Sequence, residues 1–327
     1  MSLHVPPTRG PVDLTDGAHS RNQVLGTVDD EAGDAVLDHL GADLDGDGFV
    51  EYRTRNPESG LVNQAWKDSW NAIIHPDGRV AARPHAVCEV QGYAYDARVR
   101  SARLAREVWG DPELADRLER DAAALRRRFE EAFWLEEDGF YALALDADKM
   151  PVRTLASDMG HLLWSGIVPD ERVDAVADHL MSEAMFSGWG VRTLAAGQPA
   201  YNPMEYHNGT VWPHDNALIA AGLARYGRRD EAARIAQAVI EMGPHVGYRL
   251  PEALVGASRT AVEFPVPYPS ACSPQAWAAG APLLLMTTVL GLDIDTSGLR
   301  TDPHLPDGVD RLTLRNVPTR FGRLSTG

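Results

Sequence analysis

Apolar residues recur at helical spacing through most of the chain, and the predicted helices come in pairs joined by tight Gly, Pro and Asp turns. The spacing predicts one helix over Ala86 to Trp109. Gly110 stops it, Asp111 caps the next helix, Pro112 takes its first position, and that helix runs from Leu114 to Phe133. Gly160 to Ser165 and Glu171 to Glu183 make a second pair, the latter with Val173, Val176, Ala177, Leu180 and Met181 on one stripe. A third pair covers Asn216 to Tyr226 and, past Gly227 and Asp230, Glu231 to Met242. An Ala-rich apolar helix spans Gln275 to Leu290. Strand signal is confined to Gly139 to Leu145 and to the tail beyond Leu292, where Val309 to Val317 alternates in places. Roughly nine or ten helices can be counted by this criterion.

Between the hairpins, Gly48 to Trp70, Met185 to Asp215 and Tyr248 to Ser273 hold most of the aromatic, His, Gly and Pro residues. In assemblies of αα-hairpins the short loops face one side and the long loops the other. These three segments should therefore meet at one rim, where a site belongs.

Hydrophobic residues make up 44% of 327, enough for a large core. The net charge of -16 has no compensating basic stripe except Arg126 to Arg128, which reads as a solvated helix face. Such a field repels phosphate backbones, so nucleic acid and anionic membrane are disfavoured as partners and a neutral sugar is not. Cys88 and Cys272 each lie in an apolar segment and are expected to be reduced core residues, forming neither a disulfide nor a metal cluster. Met1 to Gly17 lacks a basic start followed by an apolar stretch, and no run reaches membrane-spanning length; cytoplasmic residence is the expectation.

Four stretches carry candidate chemistry. Asp43, Asp45 and Asp47 suggest a calcium loop, but the position that needs a bidentate acid is Thr54, so a polar turn is preferred. Asp68 lies among Trp66, Lys67, Ser69 and Trp70; a carboxyl desolvated by indoles suits a general acid, and a helix N-cap or an ion pair with Lys67 are the plainer readings. In the helix starting near Arg83, Gln91 and Tyr95 share a face, as hydroxyl binders or as core polar groups. Tyr201 to Asp215 combines flat aromatic faces with amides, as a pyranose site does, and His207 and His214 read as hydrogen-bonding groups because no metal-site spacing supports them. Glu252, after Pro251, taken alone reads as an ordinary acid at a helix start.

Taken together, Asp-Gly-Asp-Gly-Phe-Val-Glu-Tyr, Asn-Gln-Ala-Trp-Lys-Asp-Ser, Glu-Val-Gln-Gly-Tyr, Phe-Ser-Gly-Trp-Gly, Tyr-His-Asn-Gly-Thr-Val-Trp-Pro-His-Asp and Ser-Pro-Gln-Ala-Trp-Ala-Ala-Gly appear in order from Asp43 to Leu292. This set resembles the bacterial amylo-α-1,6-glucosidases of glycogen debranching and related α/α-toroid glucosidases. The resemblance implies an all-α, six-hairpin (α/α)6 toroid over 29–292, after an N-terminal loop segment (1–28) and before a small β extension (293–327). It also implies that Asp68 is the general acid and Glu252 the general base of an inverting α-glucosidase acting on an α-glucan or small α-glucoside, with no cofactor and no metal. Two departures stand out. Further toroid helices with a Gly-Arg-Asp motif, usual upstream of the Asp43 loop, are not visible, so the toroid is expected to be incomplete there and its apolar face to be covered by a second copy. Glu205 also stands where the family carries a small residue, a third carboxylate that could bind substrate, change specificity or be an alternative base.

The resulting candidate stacking platforms are Trp66, Trp189, Trp212 and Trp277. Glu51, Arg53, Lys67, Gln91, Arg192, Glu205, His207 and Asn208 are the candidate polar contacts. Two rival readings are a vestigial sugar-binding module without turnover, and an epimerase or isomerase using His161 and His207.

Overall fold

The computed structural model describes residues 43–52, 58, 60–294, 298–319 and 322–326. The N-terminal loop segment, the start of the toroid domain before Asp43, and Arg53 lie outside the described residues. Asp43–Gly327 forms one compact unit.

Seven α-helices occur among the described residues: α1 (Cys88–Leu104), α2 (Pro112–Phe133), α3 (Asp158–Ser165), α4 (Asp170–Leu180), α5 (Pro213–Arg225), α6 (Arg229–Met242) and α7 (Ala276–Val289). Alternate helices form an inner row in which α1 packs on α3, α3 on α5 and α5 on α7, while α2, α4 and α6 back it from outside. This is the α/α-toroid architecture.

Local chemistry sets the helix ends. After α1 a π-helical turn (Ala105–Trp109) ends at Gly110 in the left-handed conformation, and the Asp111 side chain accepts the Leu114 amide at 2.9 Å as the cap of α2. One stripe of α2, Ala115, Leu118, Ala122, Leu125, Phe129 and Phe133, is buried. The α4 helix stops at Leu180, three residues short of the sequence expectation, because Ser182 turns back to the His179 carbonyl with both its amide and its hydroxyl.

Short antiparallel pairs fill the rest: β1 (Ala86–Val87) with β4 (Ala144–Leu145), and β2 (Trp134–Leu135) with β3 (Phe140–Tyr141). In the tail, β5 (Asp293–Ile294) pairs with β6 (Leu299–Arg300) and β7 (Leu314–Thr319) with β8 (Gly322–Thr326). The tail is tied to α6 and α7 by Arg229 on Asp302 and by the His304 amide on the Val289 carbonyl at 2.7 Å.

The main core runs from Phe49 to Val289 through the facing sides of all seven helices. A second cluster, which includes Tyr52, Ile73, Val87, Leu143, Val152 and Leu194, underlies the loop that carries Asp68. A helix apolar all round is normally enclosed. Yet α7 leaves Leu283 61% and Trp277 48% exposed. No described helix is long and apolar enough to cross a membrane.

Candidate functional site

The three long segments do meet. Arg192 bridges Val211, Val211 bridges Leu254 and Leu254 bridges Pro267, with Val211 and Leu254 exchanging backbone hydrogen bonds of 2.9 Å. Two glycines let these chains close up. A Cβ on Gly256 would stand 1.7 Å from the Gly209 carbonyl oxygen, and one on Gly209, at φ +155°, would stand 2.2 Å from the Asn202 oxygen.

The first segment is stitched onto the second by side chains. Lys67 Nζ donates to the Thr193 carbonyl at 2.7 Å, Ser69 Oγ lies 2.7 Å from His207 Nδ1, Asn71 Nδ2 donates to Glu205 Oε1 at 3.1 Å, and Asn208 Nδ2 donates to the Asn71 carbonyl at 3.0 Å. Asp68 therefore stands on a loop gripped on both sides, with its side chain 50% exposed and Oδ1 4.0 Å from His207 Nδ1.

This corrects the plainer readings of Asp68 and one part of the sharper one. Asp68 begins no helix, and Lys67 pairs with Asp158 instead, both side chains being 1% exposed. Nor do the flanking indoles desolvate it: Trp70 is 65% exposed, while Trp66 turns inward to donate to Asp158 Oδ1 at 3.0 Å. Glu252 is likewise at no helix start; it lies on the extended segment that bridges Val211, where its amide donates to the Cys272 carbonyl at 3.0 Å and its Oε2 accepts the Cys272 amide at 3.3 Å.

Tyr206 stands beside Glu252 and within the field of Asp68. Burial raises its phenol above the usual range, and a hydrogen bond to Glu252 together with the charges of Glu252 and Asp68 raises it further. Its ring packs on His207, Trp212 and Tyr268, with centroids 4.5, 4.8 and 5.2 Å away. Trp66 is ringed by His161, His207, Trp212 and His214, all with centroids within 5.6 Å. Beside this cluster opens a cavity of about 760 Å³ lined by Trp66, Tyr93, Trp164, His214, Leu218 and Trp277 among others; Asp68, Glu205 and Glu252 do not line it.

Several expected sugar contacts serve the scaffold instead. Gln91 is fully buried, exchanges hydrogen bonds with the Val50 backbone and donates to the Val87 carbonyl. Arg192 is 4% exposed and caps the carbonyls of Gly256, Glu183 and Ala184. Trp189 is 2% exposed under Arg259, and Trp212, also 2% exposed, donates its indole N–H to Thr210 and the Tyr206 carbonyl. Glu51 is buried against Lys149, whose ammonium also lies 2.8 Å from Asp45 and 2.7 Å from Asp47. The acidic loop that suggested a cation thus holds a lysine ammonium. Burial opposes that charge, and the hydrogen bonds to the three carboxylates together with the charge of Glu51 outweigh burial, so Lys149 is raised above its usual range.

His161 and His207, the pair an epimerase would need, are both enclosed. His161 is fully buried between Tyr93 and Asp215, and His207 is 1% exposed. Burial and the Lys67 charge lower His207 to about 3 and keep it neutral. Burial also works against the charge of Asp215, but the hydrogen bond from His161 and its charge prevail, and Asp215 is lowered. Glu89 is raised well above the carboxylate range by burial and by the charge of Asp158.

Cys272 corrects another expectation, since Cys88 is buried but Cys272 is exposed. Iodoacetamide is expected to modify Cys272 alone, because the Cys88 thiol is enclosed and raised well above its usual range. Activity should fall with modification, because Cys272 is backbone-paired with Glu252. Mass spectrometry alongside an activity assay checks this; full modification without loss would separate the thiol from the site.

Comparison with known proteins bears on the class of this site. Residues 31–248 match the model of the mannosylglycerate hydrolase MGH1-like glycoside hydrolase domain. No curated protein matches the chain. Among solved structures, mannosylglycerate hydrolase from Thermus thermophilus in complex with glucose is similar at a TM-score of 0.51 and 21% identity, over 62% of this chain and 45% of that one. Neutral trehalase Nth1 from Saccharomyces cerevisiae is similar at a TM-score of 0.53 and 14% identity, over 88% of this chain and 51% of that one. The chain thus spans about half the length of these two relatives. The likenesses show an α/α-toroid glycosidase fold, as the motifs implied, while the matching model does not describe a debranching enzyme. Since that model covers most of the sequence, the chain belongs to the mannosylglycerate hydrolase MGH1-like glycoside hydrolase family.

Proposed function

We propose that this site hydrolyses α-glucosidic bonds by a single displacement, with Asp68 as general acid and Glu252 as general base. The observation that carries the reading is the half-exposed Asp68 on a loop fixed by Ser69 on His207 and by Asn71 on Glu205, beside Tyr206, whose ring packs on Tyr268 of the segment that carries Glu252. Asp68 gives its proton to the glycosidic oxygen, Glu252 takes one from the attacking water, and charge builds on the sugar ring in an oxocarbenium-like transition state. The exposed half of Asp68 is free to meet a leaving group. Trp66 and Trp277, which are not fully enclosed, are the aromatic faces assigned to the substrate. Glu205, partly exposed and anchored by Asn71, contacts sugar hydroxyls.

The relatives suggest the order in which substrates are tried. One is a mannosylglycerate hydrolase solved with glucose and another a trehalase, so small α-glucosides come first and an α-1,6 branch of a glucan second. A panel of trehalose, α-glucosylglycerate, α-mannosylglycerate, isomaltose and limit dextrin tests this by release of free sugar. No release from any α-glucoside would discard the reading, and binding without release would favour a non-catalytic sugar module. Stereochemistry tests the mechanism. An inverting pair leaves room for water, with carboxyls roughly 6.5–9.5 Å apart, whereas a retaining pair needs about 5–5.5 Å. An α-linked substrate is therefore expected to yield β-sugar first. Proton NMR of the anomeric signals in the first minutes reads this, and initial α-sugar would exclude Glu252 as base.

A further inference from the structure

His207 is buried beneath the Asp68 loop, and its two ring nitrogens face different surroundings. At Nδ1 lie the Ser69 hydroxyl, 2.7 Å away, and the Ser69 backbone amide, 3.4 Å away. A backbone N–H can only donate, so Nδ1 must carry a lone pair, and the hydroxyl then donates to it as well. With the ring neutral, the proton falls on Nε2. That atom is buried and has no hydrogen-bond partner among the described residues, and Asp215 Oδ2 shares this condition.

A neighbouring polar chain runs from Tyr93 through His161 to Asp215. Asp215 is an acceptor and Oδ1 lies 2.8 Å from His161 Nε2, which therefore donates. His161 Nδ1 meets the Tyr93 hydroxyl on the other side of the ring. Both histidines thus lie in one buried polar cluster, in which His161 Nε2 donates to the Asp215 carboxylate.

We infer that His207 is the positioning residue of this site, held as the neutral Nε2–H tautomer so that Nδ1 fixes Ser69 and, through it, the orientation of Asp68. The inference rests on Asp68 being the acid. The tautomer also has a chemical consequence. Nδ1 stands 4.0 Å from Asp68 Oδ1, and an N–H there would attract and hold the ionised carboxylate. A lone pair at that position gives Asp68 no donor, which leaves its proton available to the glycosidic oxygen.

Two measurements test this on the full chain. In wild-type protein labelled with ¹⁵N in histidine, the His207 signals, assigned by their loss in His207→Asn, are expected to show Nδ1 unprotonated and Nε2 protonated near neutral pH. A protonated Nδ1, or an imidazolium, overturns the inference. For kinetics, the amide oxygen of His207→Asn can take the place of Nδ1, whereas His207→Leu offers Ser69 nothing. With an α-glucoside found to be cleaved, His207→Leu is expected to lose about 10²-fold in kcat with KM little changed, the scale of a slightly misplaced catalytic group, and His207→Asn to recover most of it. Equal activity of the two variants, or a loss in KM alone, overturns the inference. If Asp68→Asn itself stays active, the acid assignment fails on its own account, while the nitrogen signals still decide the tautomer.

Discussion

Asp68→Asn and Glu252→Gln are each expected to lower kcat by about 10²–10⁴-fold, the usual worth of one general acid or base, while the fold persists. Folding should survive because neither carboxylate supports the core. Asp68 is half exposed, and the Glu252 carboxylate accepts the Cys272 amide and the Tyr206 hydroxyl, both at the site itself. The two losses should differ with the leaving group. Asp68→Asn should hurt a poor leaving group far more than an activated aryl glycoside, which needs little protonation, whereas Glu252→Gln should slow both alike. Steady-state kinetics on one natural and one activated substrate reads this, with circular dichroism to verify the fold. A nearly unaffected Glu252→Gln beside an inactive Glu205→Gln would move the base to Glu205, whose carboxylate reaches the same junction through Asn71.

Lys67→Met is expected to cost about 3–5 kcal/mol of stability, the range seen when one partner of a buried ion pair is removed. Lys67 and Asp158 are each 1% exposed, and the ammonium also holds the Thr193 carbonyl. Removing it leaves the Asp158 charge enclosed with, among the described residues, the Trp66 indole as its remaining side-chain donor. Adding Asp158→Asn should return much of the loss, because the stranded charge is gone. Urea unfolding of the wild type, both single variants and the double variant checks this. A Lys67→Met protein within about 1 kcal/mol of wild type would show that the pair does not bear on stability, and a double variant no better than Lys67→Met would show that the stranded charge is not the cause.

The two predictions concern adjacent residues with opposite fates. Sequence reading placed both Lys67 and Asp68 in the pocket, since neighbours in a motif are easily taken to share a surface. The structure turns Lys67 inward to a partner 91 residues away. No local pattern announces Asp158, a single acid at the start of a short apolar helix. The same holds for Glu51, read as a hydroxyl binder and found on Lys149, 98 residues on, and for Gln91, read from its helix face and found on the Val50 backbone. Ser69, Tyr206 and Tyr268 lay within the segments singled out from the sequence and Asn71 just past the end of the first, yet nothing in their spacing marked them as the joints between those segments.

What the sequence determined by itself was the class of architecture and the segments that build the site. Helical periodicity, the Gly110, Asp111 and Pro112 junction, and the gathering of aromatic and polar residues between hairpins are local properties, and local propensity and capping act within a few residues of chain. Tertiary structure decided which polar side chains are spent on the scaffold and which remain open to a ligand. That division depends on partners about a hundred residues apart, brought together as the hairpins pack, because a buried charge or amide must find its counterpart wherever the fold supplies one.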